Sequence, residues 1–176
     1  VSSDKNIESY KTNLSIQYID NFLSGGYTQF SIDQSFGKLD LSGSASDLST
    51  DQSSTGAQTN GNYAKTLFQF FRLQRIVDKL NLQVLGVAQT SNKNLDSSEK
   101  FTLGGVSGVR AYPSGEASGD EGKKISYDLK YDASDYSFFS KTDMFISVFY
   151  DYGTVQQYND LLNINLTTPN KYSLKG

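Results

Sequence analysis

Lys124-Ile125-Ser126-Tyr127-Asp128-Leu129-Lys130-Tyr131-Asp132 alternates without a break. Ile125, Tyr127, Leu129 and Tyr131 fall on one side of an extended chain, and Lys124, Ser126, Asp128, Lys130 and Asp132 fall on the other. Successive strand side chains point to opposite faces, so a period of two means a strand with one apolar and one polar face. The pattern recurs on both sides of this stretch. Leu14, Ile16 and Tyr18 alternate with Asn13, Ser15 and Gln17, and Phe30, Ile32 and Phe36 alternate with Gln29, Ser31, Asp33 and Ser35. Met144, Ile146, Val148 and Tyr150 form a similar face later in the chain. Residues 63–76 and 80–89 read as strands with less clean alternation. About six strands result, each near the roughly 9–11 residues a tilted strand needs to cross a bilayer.

The connections carry a second pattern. Short links (Asp20 to Gly25, Val77 to Lys79, Ala133 to Ser140) alternate with long ones (Lys38 to Asn62, Thr90 to Gly122, and Tyr152 onward). Outer-membrane barrels alternate short periplasmic turns with long extracellular loops, whereas a soluble meander has no reason to do so. The long loops are rich in Ser, Gly, Asp, Asn and Thr, and Ser42 to Asn62 is close to low complexity and expected to be mobile. About six strands cannot close a transmembrane barrel, which needs about eight. The expectation is therefore an all-β chain, residues 1–176 forming one partial antiparallel transmembrane barrel domain. Another strand is expected to start at Leu174-Lys175-Gly176.

Composition fits this without deciding it. The 176 residues include 12 Tyr and 11 Phe but no Cys, His or Trp, and mean hydropathy is -0.48. A barrel that is apolar outside and polar inside gives such numbers, and so does a soluble β-sandwich with aromatic inner faces. The net charge of -3 argues against a nucleic-acid surface. No apolar run approaches the roughly 18 residues of a transmembrane helix, so any crossing must be made by strands. Val1-Ser2-Ser3-Asp4 opens on polar residues without a secretory leader, as expected of a mature form or an internal fragment. Tyr10, Tyr18, Tyr127, Tyr131, Tyr150 and Tyr152 are candidates for aromatic girdles at the bilayer interface, with ordinary apolar packing as the alternative.

The most distinctive segment is Phe101 to Gly122. Glycines at 104, 105, 108, 115, 119 and 122 permit positive φ and close backbone approach. Arg110 sits among Val106, Val109 and Tyr112, and burying it would require a carboxylate partner. On the residues alone, this remains either a glycine-rich hairpin with a solvated arginine or a tightly folded loop with a charged anchor.

The segment resembles the loop signature of the two-partner secretion transporters, the haemolysin secretion/activation family. The match runs through Leu103-Gly104-Gly105, Val109-Arg110-Ala111-Tyr112-Pro113 and Gly115-Glu116-Ala117-Ser118-Gly119-Asp120-Glu121-Gly122. Asn94 to Lys100 is similar too, and Phe149-Tyr150-Asp151-Tyr152-Gly153 resembles the Phe-x-Asp-x-Gly strand motif of the wider superfamily. The resemblance covers at least Tyr63 to Val155. Family members are 16-stranded barrels preceded by POTRA domains, so it implies that this chain holds the eighth to thirteenth strands and no POTRA domain. It further implies that residues 38–62 are an extracellular loop and that the signature loop, residues 91–122, folds back into the lumen. Arg110 would then bond to Asp151 on the inner wall, in the motif bounded by Phe149 and Gly153. Alternation agrees, because if Met144, Ile146, Val148 and Tyr150 face lipid then Phe145, Ser147, Phe149 and Asp151 face the lumen. Ala111 replaces the glycine usual in the superfamily, which favours the secretion branch over the BamA-type assembly factors.

Catalytic chemistry has little footing. Without His or Cys the usual triads, thiol nucleophiles and zinc sites are missing, and no motif supports a Ser–Lys dyad. The glycines near Lys123-Lys124 lack the Gly-Lys-Ser/Thr of a phosphate-binding loop. Glu116, Asp120 and Glu121 lack EF-hand spacing. The expectation is a non-enzymatic, monomeric barrel of the Gram-negative outer membrane, in contact with its lipid and without metal or cofactor. Its partner would be a large unfolded exoprotein of haemagglutinin, haemolysin or adhesin type. The alternatives are a BamA-type assembly factor and a soluble β-sheet binding module.

Overall fold

A computed structural model of the chain describes residues 5–136, 143–161, 164, 166 and 169–176. The strands are β1 (Asn6–Asp20), β2 (Gly26–Asp40), β3 (Gly61–Val77), β4 (Leu80–Ser91), β5 (Phe101–Thr102), β6 (Ser118–Gly119), β7 (Glu121–Asp132), β8 (Phe145–Gln156) and β9 (Lys171–Lys175). Among the described residues one α-helix, α1, spans Ala45–Asp51. Seven strands form a single sheet in the order β1-β2-β3-β4-β7-β8-β9, every pair antiparallel. β5 and β6 pair with each other inside the loop between β4 and β7.

Burial along β2 is inverted relative to a soluble protein. In β2, Ser31, Asp33 and Ser35 are buried, while Phe30 and Phe36 are 53% and 57% exposed. Tyr10, Leu14, Ile16 and Tyr18 of β1 are exposed, as are Ile146, Val148 and Tyr150 of β8. In water, exposure of so contiguous an apolar face favours association, whereas against lipid it is the stable arrangement.

The ladder also shows how the strands lie. Directly paired residues share a face, and one row of the outward face runs Leu14, Ile32, Phe68, Ala88, Lys123, Thr154. In β1 the outward apolar stretch Tyr10–Tyr18 is centred on Leu14 of that row, whereas at β8 the stretch Met144–Tyr152 is centred on Val148. From Thr154 to Val148 is six residues, accumulated over five strand-to-strand steps, or about 1.2 residues per step. With a rise of ~3.4 Å per residue and ~4.8 Å between strands, a level apolar belt requires a strand tilt of about 40°. Transmembrane barrels tilt their strands by about that much.

Several boundaries differ from those read in the sequence. Seven sheet strands replace about six, because the alternation at the chain end forms the short β9 on β8. The strands run 12–17 residues in β1 to β4, β7 and β8, longer than a bilayer crossing needs. Ladder pairing carries them past the membrane and trims the long loops to residues 41–60, 92–120 and 157–170. Tyr152 accordingly lies within β8, and Val77 within β3. Of the link from Ala133, residues 137–142 lie outside the described residues. The Ser-rich loop is more ordered than its composition predicts. Ser44 caps α1 by accepting from the Asp47 N–H. The Asp51 carboxylate accepts from the Thr59 N–H and hydroxyl at 2.8 and 2.6 Å and from the Asn60 N–H at 3.0 Å.

Candidate functional site

The loop from 92 to 120 folds back onto the polar face of β7 and β8, opposite the apolar face. Its folding begins with a small core of Phe101, Leu103, Val109 and Val155, with Tyr112 packed against it. The Leu103 N–H donates to the Ala117 carbonyl, and the Val109 N–H donates to the Leu103 carbonyl at 2.6 Å. Two glycines make this path possible in different ways. Gly105 has a φ of +97°, which a side chain would strain. A Cβ on Gly108 would run into the Leu103 carbonyl. Among the other predicted loop-shaping glycines, Gly115 has positive φ, while Gly104, Gly119 and Gly122 sit where the chain or the Phe101 ring comes close.

This core delivers Arg110 to the wall. Its Nε and Nη2 donate to the two Asp151 oxygens at 2.8 and 2.9 Å, and its backbone N–H donates to Asp151 Oδ2 at 3.0 Å. Asp151 is 0% exposed and the Arg110 side chain 28%. A bidentate guanidinium–carboxylate pair fixes direction as well as distance. Nη1 reaches a second carboxylate, Asp128 of β7, at 3.1 Å. Arg110 lies over the Phe149 ring, its Cζ 3.8 Å from the centroid. The Arg110 pKa is raised, first by the hydrogen bond to Asp151 and with help from Asp128 against partial burial.

The strand motif can now be read residue by residue. Phe149, Asp151 and Gly153 alternate on one face of β8: the ring stacks on the guanidinium, the carboxylate binds it, and the glycine leaves room for the Leu103 side chain. Lys124, buried on the neighbouring strand, donates to the Ser107 carbonyl at the loop's turn. Of the sequence-predicted residues, Val109 is buried in the loop core and Tyr112 packs against it, while Ala111 is exposed beside them.

Lys124, Asp128 and Asp120 were not picked out as site residues from the sequence. Asp128 was visible only as one polar residue of the alternating strand; its register opposite Phe149 puts it in reach of Arg110. Asp120, read within the loop signature and weighed as a calcium ligand but given no role of its own, is 0% exposed and ties loops together. It accepts from the Leu95 N–H at 3.0 Å, Lys100 Nζ at 2.6 Å and the Asn159 N–H at 2.8 Å. Nearby, Asn94 donates to the carbonyls of Ala57 and Asp160 and accepts from the Asp160 N–H. Loops 41–60, 92–120 and 157–170 are thereby joined at one end of the sheet. The hint in the sequence was the place of Asp120 in the Gly115 to Gly122 stretch of the loop signature.

Comparison with known proteins agrees with this geometry. The family model described as haemolysin secretion/activation protein ShlB/FhaC/HecB matches residues 2–167. The heme/hemopexin transporter protein HuxB of Haemophilus influenzae strain Rd is 33% identical over 143 residues, covering 80% of this chain and 24% of that protein. HuxB of strain 86-028NP is 30% identical over 159 residues, covering 89% and 26%. The chain thus spans about a quarter of the length of these curated relatives. No solved structure matches. An outward-apolar antiparallel wall, a loop clamped to it by an arginine, and a family match over nearly the whole chain converge: this chain belongs to the haemolysin secretion/activation (ShlB/FhaC/HecB) family and forms part of its β-barrel.

Proposed function

We propose that the protein containing this chain is an outer-membrane translocator that passes a large unfolded exoprotein, of haemolysin or adhesin type, through its barrel in two-partner secretion. The long loops face the cell exterior, the short turns the periplasm, and the 92–120 loop folds into the lumen. The single observation carrying this reading is the threefold engagement of Asp151 by Arg110. It anchors a loop to the polar side of a wall whose other side suits lipid, where a passing chain would meet it. Translocation in this scheme breaks and forms no covalent bonds, so it needs no catalytic group. The heme/hemopexin transporter name of the relatives makes an exoprotein of that system the first cargo to try.

The test uses the full-length protein expressed with the exoprotein encoded beside it. Arg110→Ala and Asp151→Ala are each expected to cut secretion about tenfold or more, while heat-modifiable gel mobility shows that the barrel still assembles; about 3 kcal/mol for a broken buried pair permits that scale. Secretion at wild-type level from both variants would sink the anchor role. Intact secretion accompanied by misassembly of other outer-membrane barrels would instead identify an assembly factor.

A further inference from the structure

Charges on the outward face are mostly balanced. Glu8 lies directly beside Lys38 in the β1–β2 ladder, and at the short-turn end Arg72 is ion-paired with Asp20. The long-loop end of β7 to β9 is different. Lys123, Lys171 and Lys175 share the outward face, since Lys123 pairs with Thr154, Thr154 with Ser173, Gln156 with Lys171 and Tyr152 with Lys175. All three are exposed, and none has a carboxylate within ion-pair distance among the described residues. The one acid nearby, Glu121, accepts from the Asn159 side chain. Glu121 lines, together with Lys123, Lys171, Tyr152, Thr154 and Ser173, a shallow concavity of about 630 Å³.

The position of this patch limits what can occupy it. It lies at the border of the apolar stretch Ile125–Tyr131 of β7 and Met144–Tyr152 of β8, on the side of the long loops. A ligand there has its apolar part against Ile125 and Tyr152 and its polar part among three ammonium groups and two hydroxyls. We propose that this patch is a docking site for the phosphorylated headgroup of a lipid in the outer leaflet. Lysines at a membrane boundary attract anionic headgroups while their stems lie along apolar surface, and the hydroxyls of Thr154 and Ser173 add phosphate donors. The inference rests on the reading that the apolar face meets lipid.

The probes are diphosphoryl lipid A and the same lipid with its phosphates removed, each added to the full-length protein in detergent and counted as bound copies by native mass spectrometry. The wild type is expected to retain the phosphorylated form about tenfold better. The triple substitution Lys123→Gln, Lys171→Gln, Lys175→Gln is expected to erase that preference, the corresponding triple arginine variant to keep it, and Lys38→Gln to leave it unchanged. Equal retention of the two lipids by the wild type, or an undiminished preference in the triple glutamine variant, overturns the proposal. So does displacement of the lipid by millimolar inorganic phosphate, which would mark a site for free anion. Heat-modifiable mobility separates the two levels of failure. A folded barrel indifferent to phosphate sinks only this site, whereas protein that neither folds nor binds lipid sinks the outward-lipid reading as well.

Discussion

Two loops at the same end of the sheet, 41–60 and 92–120, are both rich in small polar residues, yet they are held in opposite ways. Loop 41–60 is fastened mainly from within, by the Asp51 carboxylate that joins α1 to Thr59 and Asn60. Loop 92–120 is fastened from outside, by Asp151 and Asp128 of the wall acting on Arg110. A carboxylate inside a loop fixes that loop's shape and leaves its position to the ends. A carboxylate on the wall fixes where the loop goes. Asp120 stands between these cases, since it lies at the foot of the second loop and binds the third.

The wall-held loop is expected to respond most strongly. Asp151→Ala leaves Arg110 with Asp128 alone and removes the acceptor for the Arg110 backbone N–H. About 3–5 kcal/mol of local stability is expected to go, and protease added to intact cells should newly cut the full-length protein between residues 104 and 116. An unchanged cleavage pattern would mean the loop core, not the ion pair, places the hairpin.

Asp120→Ala is expected to cost about 3 kcal/mol locally, because it takes the carboxylate from the Lys100 ammonium, leaving it the Gln157 carbonyl and the Tyr158 ring, and strands two backbone N–H groups. Hydrogen exchange should rise together at Leu95 and Asn159, in two different loops, while Arg110 keeps its protection. A rise at only one of them would refute a shared fastening.

The smallest effect belongs to Asp51. Asp51→Ala should cost about 2 kcal/mol, seen as faster exchange at Thr59 and Asn60 with no change around Arg110. Its pH dependence follows from the same bonds. Burial acts to raise the Asp51 pKa, but the hydrogen bonds from Thr59, Asn60 and Gln52 outweigh it and leave the carboxyl below its ordinary value. The folded loop therefore binds protons less readily than the unfolded one. Its stabilisation is complete above about pH 4 and declines as pH falls through the lowered value. Protection factors at Thr59 and Asn60, taken against the intrinsic exchange rate at each pH, should be level from pH 7 to 5 and fall below about pH 4, and Asp51→Asn should abolish that fall. A fall already at pH 6 would point to another titrating group.

Strand 124–132 was legible residue by residue, and so was the inward aim of Phe149 and Asp151, because both follow from a local period of two. The motif pairing of Arg110 with Asp151 was legible only through resemblance. Loop 41–60 misled because Ser-rich composition says nothing of whether one aspartate finds donors eight or nine residues ahead.

By itself the sequence determined the strands, their two faces and the order of short and long connections, since these depend on neighbours along the chain. Tertiary structure alone decided that Asp51 fastens loop 41–60, that Asp128 shares Arg110 with Asp151, and that Asp120 joins loops. It also gathered Lys123, Lys171 and Lys175 onto one outward patch. Hydrogen-bonded and like-charged groups brought together across 18 to 52 positions of chain have no signature in local periodicity. Register and strand tilt place them, and those are properties of the whole sheet.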